Sequence, residues 1–160
     1  MAKKVVITPA SSGDAEAIAA ILLEAFREFE PLYTPGGFRA TTPSAAEIRA
    51  RWAEGPSWIA TLDGRKVGTV AAVDRGDEVY VRSMAVTPGA RGAGVAAALL
   101  DEVTRFSIEA GARRMRLSTT PFLHGAIRLY ERAGFTRLPD PLDLHGTPLF
   151  GMAKELPGDQ

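Results

Sequence analysis

The segment Thr87-Pro88-Gly89-Ala90-Arg91-Gly92-Ala93-Gly94-Val95-Ala96 is the part of this chain best suited to chemistry. It begins where a β-branched run ends and stops where a helical period begins. Small residues at Gly92, Ala93, Gly94 and Ala96 let another molecule approach the backbone closely. The first N–H groups of a helix have no partner within it, and the helix dipole adds positive potential there. Such a loop suits a phosphate or a pyrophosphate. The bland reading is a tight turn whose glycines serve only helix–sheet packing, and short glycine motifs do match by accident.

Two other phosphate loops compete. A Walker loop needs Gly-Lys followed by Ser or Thr, which is absent here. A nicotinamide-binding fingerprint is nearer, since Gly92, Gly94 and Ala97 fit G-x-G-x-x-A. That fingerprint opens a βαβ unit whose next strand ends in an acidic residue for the ribose. Here the next strand ends Leu117-Ser118-Thr119-Thr120, and hairpin strands precede the loop. A nicotinamide-dependent oxidoreductase is therefore disfavoured.

A third loop fits. Arg91, Gly94 and Ala96 match the R-x-x-G-x-A form of the pyrophosphate loop in the GNAT superfamily of N-acetyltransferases. The preceding Met84-Ala85-Val86-Thr87-Pro88 resembles that family's strand into the loop. Downstream, Ala126-Ile127-Arg128-Leu129-Tyr130-Glu131-Arg132-Ala133-Gly134-Phe135 is similar to its A-x-x-L-Y-E-x-x-G-F signature. The strong resemblance covers residues 79–135.

The resemblance implies an acyl-coenzyme A N-acyltransferase fold in which two central parallel strands splay apart. Acetyl-coenzyme A, the cosubstrate, would lie in the gap. Backbone amides of Arg91, Gly92, Ala93, Gly94, Val95 and Ala96 would hold its pyrophosphate. The backbone of Met84, Ala85 and Val86 would bind the pantetheine arm like an added strand. An N–H there would also steady the oxyanion of a tetrahedral intermediate. Tyr130 would be the general acid that protonates the leaving thiolate, a phenol and a thiol being of similar basicity. Its bland reading is a packing aromatic at a helix end. Leu123 stands where many members carry an asparagine that assists cofactor binding. Tyr80 stands on the base side, where members often place a glutamate. Glu78 is nearby, in what reads as a turn, and a water relay would serve as well. The acceptor side implied is the first two helices, their loop and the loop between the last two strands. Tyr33 and Phe38 there are candidate substrate contacts, whereas Phe26 and Phe29 read as core. Asp140 and Asp143 could attract a cationic amine but are ordinary loop residues. The function implied is acetyl transfer to a primary amine, small-molecule or peptide. A catalytically silent acyl-coenzyme A sensor is the alternative from another class.

The elements that must position these residues are legible as periods. Residues 3–8 are β-branched and end at Pro9, a first strand. Ala15, Ile18, Leu22, Ala25, Phe26 and Phe29 give an amphipathic helix. Residues 31–43, with Pro35-Gly36-Gly37, read as a loop. Ser44 and Glu47 form a capping-box pattern before a short helix carrying Ile48 and Trp52. Residues 57–62 and 67–73 flank Asp63-Gly64, a hairpin signal, and residues 79–86 form a further strand. Residues 91–110 and 122–133 are helical, with strand 114–119 between them. Final strands are expected at 135–138 and 149–155, joined by a proline-rich loop. The predicted fold is α/β (α+β mixed). It has a mixed, mostly antiparallel sheet of about seven strands flanked by about four helices, with a parallel pair across the crossover helix.

Composition sets the bounds. The 160 residues suit a single domain, 1–160, with 46% hydrophobic and 24% charged residues. Nineteen basic residues offset nineteen acidic ones, which argues against a nucleic-acid partner. The chain has no cysteine, so thiolate zinc sites, disulfides and a cysteine nucleophile are excluded. His124 and His145 lie at no spacing that suggests a metal ligand set. The apolar run Val5-Val6-Ile7 is too short for a signal peptide or a membrane span. The expectation is a soluble, cytoplasmic monomer or homodimer.

Overall fold

The structure, a computed structural model, describes residues 4–158. Lys3, expected at the start of the first strand, lies outside the described residues. In chain order the elements are β1 (Val5–Pro9), α1 (Ala15–Phe26), α2 (Pro35–Thr41), α3 (Ala45–Arg51), β2 (Ser57–Leu62), β3 (Arg65–Asp74) and β4 (Glu78–Val86). They continue with α4 (Val95–Glu109), β5 (Arg114–Thr119), α5 (His124–Arg132), β6 (Thr136–Leu144) and β7 (Thr147–Glu155).

All seven strands form one sheet in the order β1-β2-β3-β4-β5-β7-β6. Among the described residues, only β4 and β5 pair in parallel. Every other neighbouring pair is antiparallel. Asp63 and Gly64, both with positive φ, close the β2–β3 hairpin as their sequence signals. The crossover α4 makes β4 and β5 parallel, because a chain returning through a helix enters from the same end.

Each face of the sheet buries a separate apolar layer. Val95, Leu99 and Val103 of α4 pack with Val70, Val79, Met115 and Leu117 on one face. Ile18, Leu22 and Ala25 of α1 pack with Ile48 of α3, Ile59 and Ala85 on the other. The sheet is thus filled on both sides, and a gap between its strands becomes an enclosed cleft.

Two expectations are corrected. Residues 31–43 are not a plain loop, since α2 occupies Pro35–Thr41. Proline is compatible with the first helical position, and the Thr34 hydroxyl caps the turn by accepting from the Gly37 N–H at 3.0 Å. Gly37 also lets α2 press on the β6–β7 hairpin: a Cβ there would meet Thr147 Oγ1 at 2.2 Å. Likewise, the proline-rich loop before the last strand is mostly strand: Pro139 and Pro141 lie in the outer half of β6, and Pro148 lies at the start of β7. β6 pairs with β7 alone, and an edge strand tolerates proline because its outer N–H groups need no ladder partner.

Candidate functional site

The glycine loop joins β4 to α4. Gly92 and Gly94 adopt φ of +84° and +81°, a conformation that costs a side-chain-bearing residue energy. A Cβ built on either would meet nothing within 4 Å, so the loop faces open space. The first helical bond into the loop runs from the Ala98 N–H to the Gly94 carbonyl at 3.1 Å. Among the described residues the N–H groups of Gly92, Ala93, Gly94, Val95, Ala96 and Ala97 have no backbone partner. Six free donors at the positive end of a fifteen-residue helix suit a pyrophosphate. The Arg91 side chain points elsewhere. It is ion-paired to Glu28 and donates to the Ala25 carbonyl at 3.1 Å, tying the loop to the end of α1.

The parallel seam is short. β4 and β5 pair only at Glu78↔Arg114, Val79↔Met115 and Tyr80↔Arg116. Past Tyr80 the two strands separate, and the β5-facing edge of β4 has no strand partner. The β3 register slips here too, with Thr69 opposite Ala85 but Ala71 opposite Arg82. The extra residue is a bulge at Ser83 and Met84, where Ser83 takes φ of +57°. The bulge bends β4 away from β5 and leaves Met84, Ala85 and Val86 along an open edge, the kind of edge an extended ligand can join.

The fork opens into a cleft of about 890 Å³. One wall carries Met84, Ala85, Val86 and the loop from Ala90 to Ala97, Ala93 excepted. The other carries Ser118 to Thr120 and the inner face of α5. Tyr80 and Tyr130 both line it. Tyr130 is 7% exposed and packs at a tilt against Phe135, with ring centroids 5.9 Å apart. Burial, and then the nearby Tyr80 phenol, push the Tyr130 pKa well above the ordinary tyrosine value. Tyr130 therefore holds its proton at neutral pH, which suits a donor and not a base. Tyr80 donates to Ser118 Oγ at 2.9 Å.

The remaining sequence candidates fall in various places. Tyr33 lines the cleft but is buried, 8% exposed, and packs on Phe122 with centroids 4.9 Å apart. Burial raises its pKa, while the Thr41 and Thr120 hydroxyls work against the rise. Phe38 stands behind Tyr33 at 6.0 Å, outside the cleft wall. Phe26 and Phe29, read as core, are half-buried and form part of the wall. Leu123 and His124 line the cleft at the start of α5. Glu78 does not: it pairs with Arg114 at 2.9 Å and Arg75 at 3.4 Å. His145 sits in the β6–β7 turn with φ of +49°, its carbonyl held by Thr34. Sequence reasoning missed Arg51, Arg82 and Thr120, which also line the cleft. No group of three or more possible metal ligands occurs among the described residues. No described helix is long and apolar enough to cross a membrane.

A loop of free amides beside a forked parallel pair is the arrangement that the family resemblance implies, and comparison with known proteins tests that resemblance. The model of the acetyltransferase (GNAT) family matches residues 18–135, and the chain belongs to that family. It is 39% identical over 88 residues to an N-acetylaspartate synthetase of Danio rerio, covering 54% of this chain and 31% of that protein. It is 29% identical over 135 residues to the spore coat polysaccharide biosynthesis protein SpsD of Bacillus subtilis, covering 80% of this chain and 46% of that protein. The chain spans about a third of the length of the first curated relatives, between 30% and 38%. Among solved structures, yncA from Salmonella typhimurium with its cofactor acetyl-CoA superposes with a TM-score of 0.73 at 22% identity, covering 96% of this chain and 94% of that one. A GNAT-family acetyltransferase from Staphylococcus aureus superposes with a TM-score of 0.78 at 20% identity, covering 96% of this chain and 100% of that one. These likenesses establish the shared fold.

Proposed function

We propose that this chain transfers the acetyl group of acetyl-coenzyme A directly to a primary amine while both are bound. The observation that carries the reading is the cleft itself. It joins the loop of unpaired amides, an open strand edge and a protonated phenol around one cleft. The amides of the glycine loop hold the pyrophosphate, and the edge of β4 at Met84 to Val86 bonds the pantetheine arm. An N–H of that edge polarises the thioester carbonyl. The amine nitrogen attacks the carbonyl carbon, the carbon–sulfur bond breaks, and the sulfur leaves with the bonding electrons. Tyr130 supplies the proton that the thiolate takes up. Burial disfavours the Tyr130 phenolate, but the thiolate leaves into the same cleft and loses solvation with it, so the transfer stays balanced.

The amine must lose a proton to something other than a carboxylate, because no Asp or Glu lines the cleft among the described residues. Water takes that role, with Tyr80 and Ser118 positioned to order it. The reading includes a cytoplasmic home, since a chain without cysteine suits a reducing compartment. It also includes a monomer or homodimer acting on a small-molecule or peptide amine.

The test is to mix the protein with acetyl-coenzyme A and a broad amine panel and follow free thiol. Amine-dependent thiol release supports the reading. Tight acetyl-coenzyme A binding without release by any amine would replace it with a silent sensor.

A further inference from the structure

The cleft has a charge pattern that the transfer chemistry does not need. Arg51, Arg82, Arg91 and Arg132 line it, and no carboxylate does, among the described residues. Arg91 is spent on Glu28 and Ala25. Arg51 and Arg82 are different, because they stand together on the α3 side. Both also line a smaller cavity that runs under Ile18 and Trp52.

This pair is incompletely satisfied. Arg51, at the end of α3, donates from Nη1 to Ser83 Oγ at 3.4 Å, a long contact. Arg82, on β4, donates from Nη2 to Glu54 at 3.2 Å, while its buried Nε has no partner among the described residues. Glu54 is half-exposed, so its attraction is screened by solvent. Burial, and then the charge of Arg82, pull the Arg51 pKa down, with Glu47 and Glu54 opposing. Two guanidinium groups are thus brought close beside the bulge of β4, where desolvation and repulsion both disfavour them. An anion between them would relieve both costs, and the planar fork of a guanidinium matches a carboxylate in two parallel hydrogen bonds.

We infer that the acceptor is an amine that also carries a carboxylate, held by Arg51 and Arg82 with its amino group directed along β4 toward the fork. The inference rests on the acetyl-transfer reading and adds the substrate class. It follows that polycationic amines are poor acceptors, because nothing acidic lines the cleft to receive a second positive charge.

The experiment compares kcat/KM for the common α-amino acids, their carboxamides and their decarboxylated amines, with polyamines alongside. The preferred acceptor should carry a free carboxylate and exceed its own carboxamide by about 10- to 100-fold, the worth of a charged hydrogen-bond pair. Arg51→Gln and Arg82→Gln should each raise the KM for the acid and close most of that gap, with the acetyl-coenzyme A thermal shift retained. Should a variant not fold, competition by the matching acid without its amino group, against its amide, reads the same preference on the native protein. Carboxamides or polyamines acetylated as well as the acids, or a gap that survives both substitutions, would overturn the assignment alone. Acetyl-coenzyme A bound with no amine acetylated would overturn the transfer reading, and this one with it.

Discussion

The Tyr80 hydroxyl donates to Ser118 Oγ at 2.9 Å, joining β4 to β5 where their backbones part company. The last backbone pair is Tyr80↔Arg116, so this side-chain bond is a stitch at the crotch of the fork. It ties the two walls of the cleft where they meet. It also places a phenol beside Tyr130, close enough to raise that residue's pKa.

Tyr80→Phe removes the stitch and keeps the ring. A hydrogen bond of this kind contributes about 1 kcal/mol net. For a domain of this size that is about 2–4 °C in melting temperature. Ser118→Ala should cost a similar amount, and the double variant little more than either alone, because one interaction is lost only once. Fully additive losses in differential scanning calorimetry would show that the two hydroxyls act separately.

The pyrophosphate assignment is best tested away from the glycines. A side chain at Gly92 or Gly94 strains a positive-φ backbone, so lost binding there would have two causes. Ala96 is in the first turn of α4 and lines the cleft. Glutamate in a first helical turn is favourable for folding, yet Ala96→Glu puts a carboxylate where the phosphates must sit. The expected result is an unchanged or slightly higher melting temperature without ligand, and loss of the shift given by acetyl-coenzyme A. A retained shift would move the phosphate site elsewhere.

Alkaline pH should expose the buried phenols. Burial raises the pKa of both Tyr130 and Tyr33 in the folded chain. A group with a raised folded pKa keeps its full stabilising effect below its unfolded pKa, about 10 for tyrosine, and loses it as pH climbs toward the folded value. Stability should therefore fall from about pH 10 upward. Tyr130→Phe and Tyr33→Phe should each flatten that fall, as followed by urea unfolding between about pH 8 and 11. Parallel curves for wild type and Tyr130→Phe would mean that the phenol ionises freely in the folded state.

What the sequence made legible was local. The Gly92-Ala93-Gly94 loop and the Leu129-Tyr130 helix end are short signals in one segment, and each sits where its period implies. The Asp63-Gly64 turn was readable for the same reason. Non-local features were hidden. Arg51 and Arg82 belong to a helix and a strand separate in sequence, and only the fold, which sets the end of α3 beside the bulge of β4, brings them to one cleft. Phe29 was misread because α1 tightens into a 3-10 turn at Arg27, which rotates the ring off the core stripe and onto the cleft. α2 was missed because its glycines argue against a helix in isolation, and its stability comes from Thr34 and the hairpin it leans on.

The role of Tyr130 can be isolated with Tyr130→Phe. The ring packs on Phe135 and the substitution removes only the hydroxyl of a residue that lines the cleft, so it should leave the fold intact at neutral pH. If the hydroxyl protonates the leaving sulfur, its loss slows the chemical step while acetyl-coenzyme A binds as before. General acid catalysis is worth about 10²- to 10⁴-fold in rate. Water entering the space of one oxygen would recover part of that, so a loss near the lower figure is expected. Product release can mask such an effect in steady state. The measurement is therefore single-turnover, with the enzyme in excess over acetyl-coenzyme A and a saturating acceptor identified by the panel. A slowed single-turnover rate with an unchanged thermal shift fits the acid role. An unchanged single-turnover rate would reduce Tyr130 to a packing residue, and a weaker thermal shift with normal chemistry would make its hydroxyl a binding contact for the coenzyme.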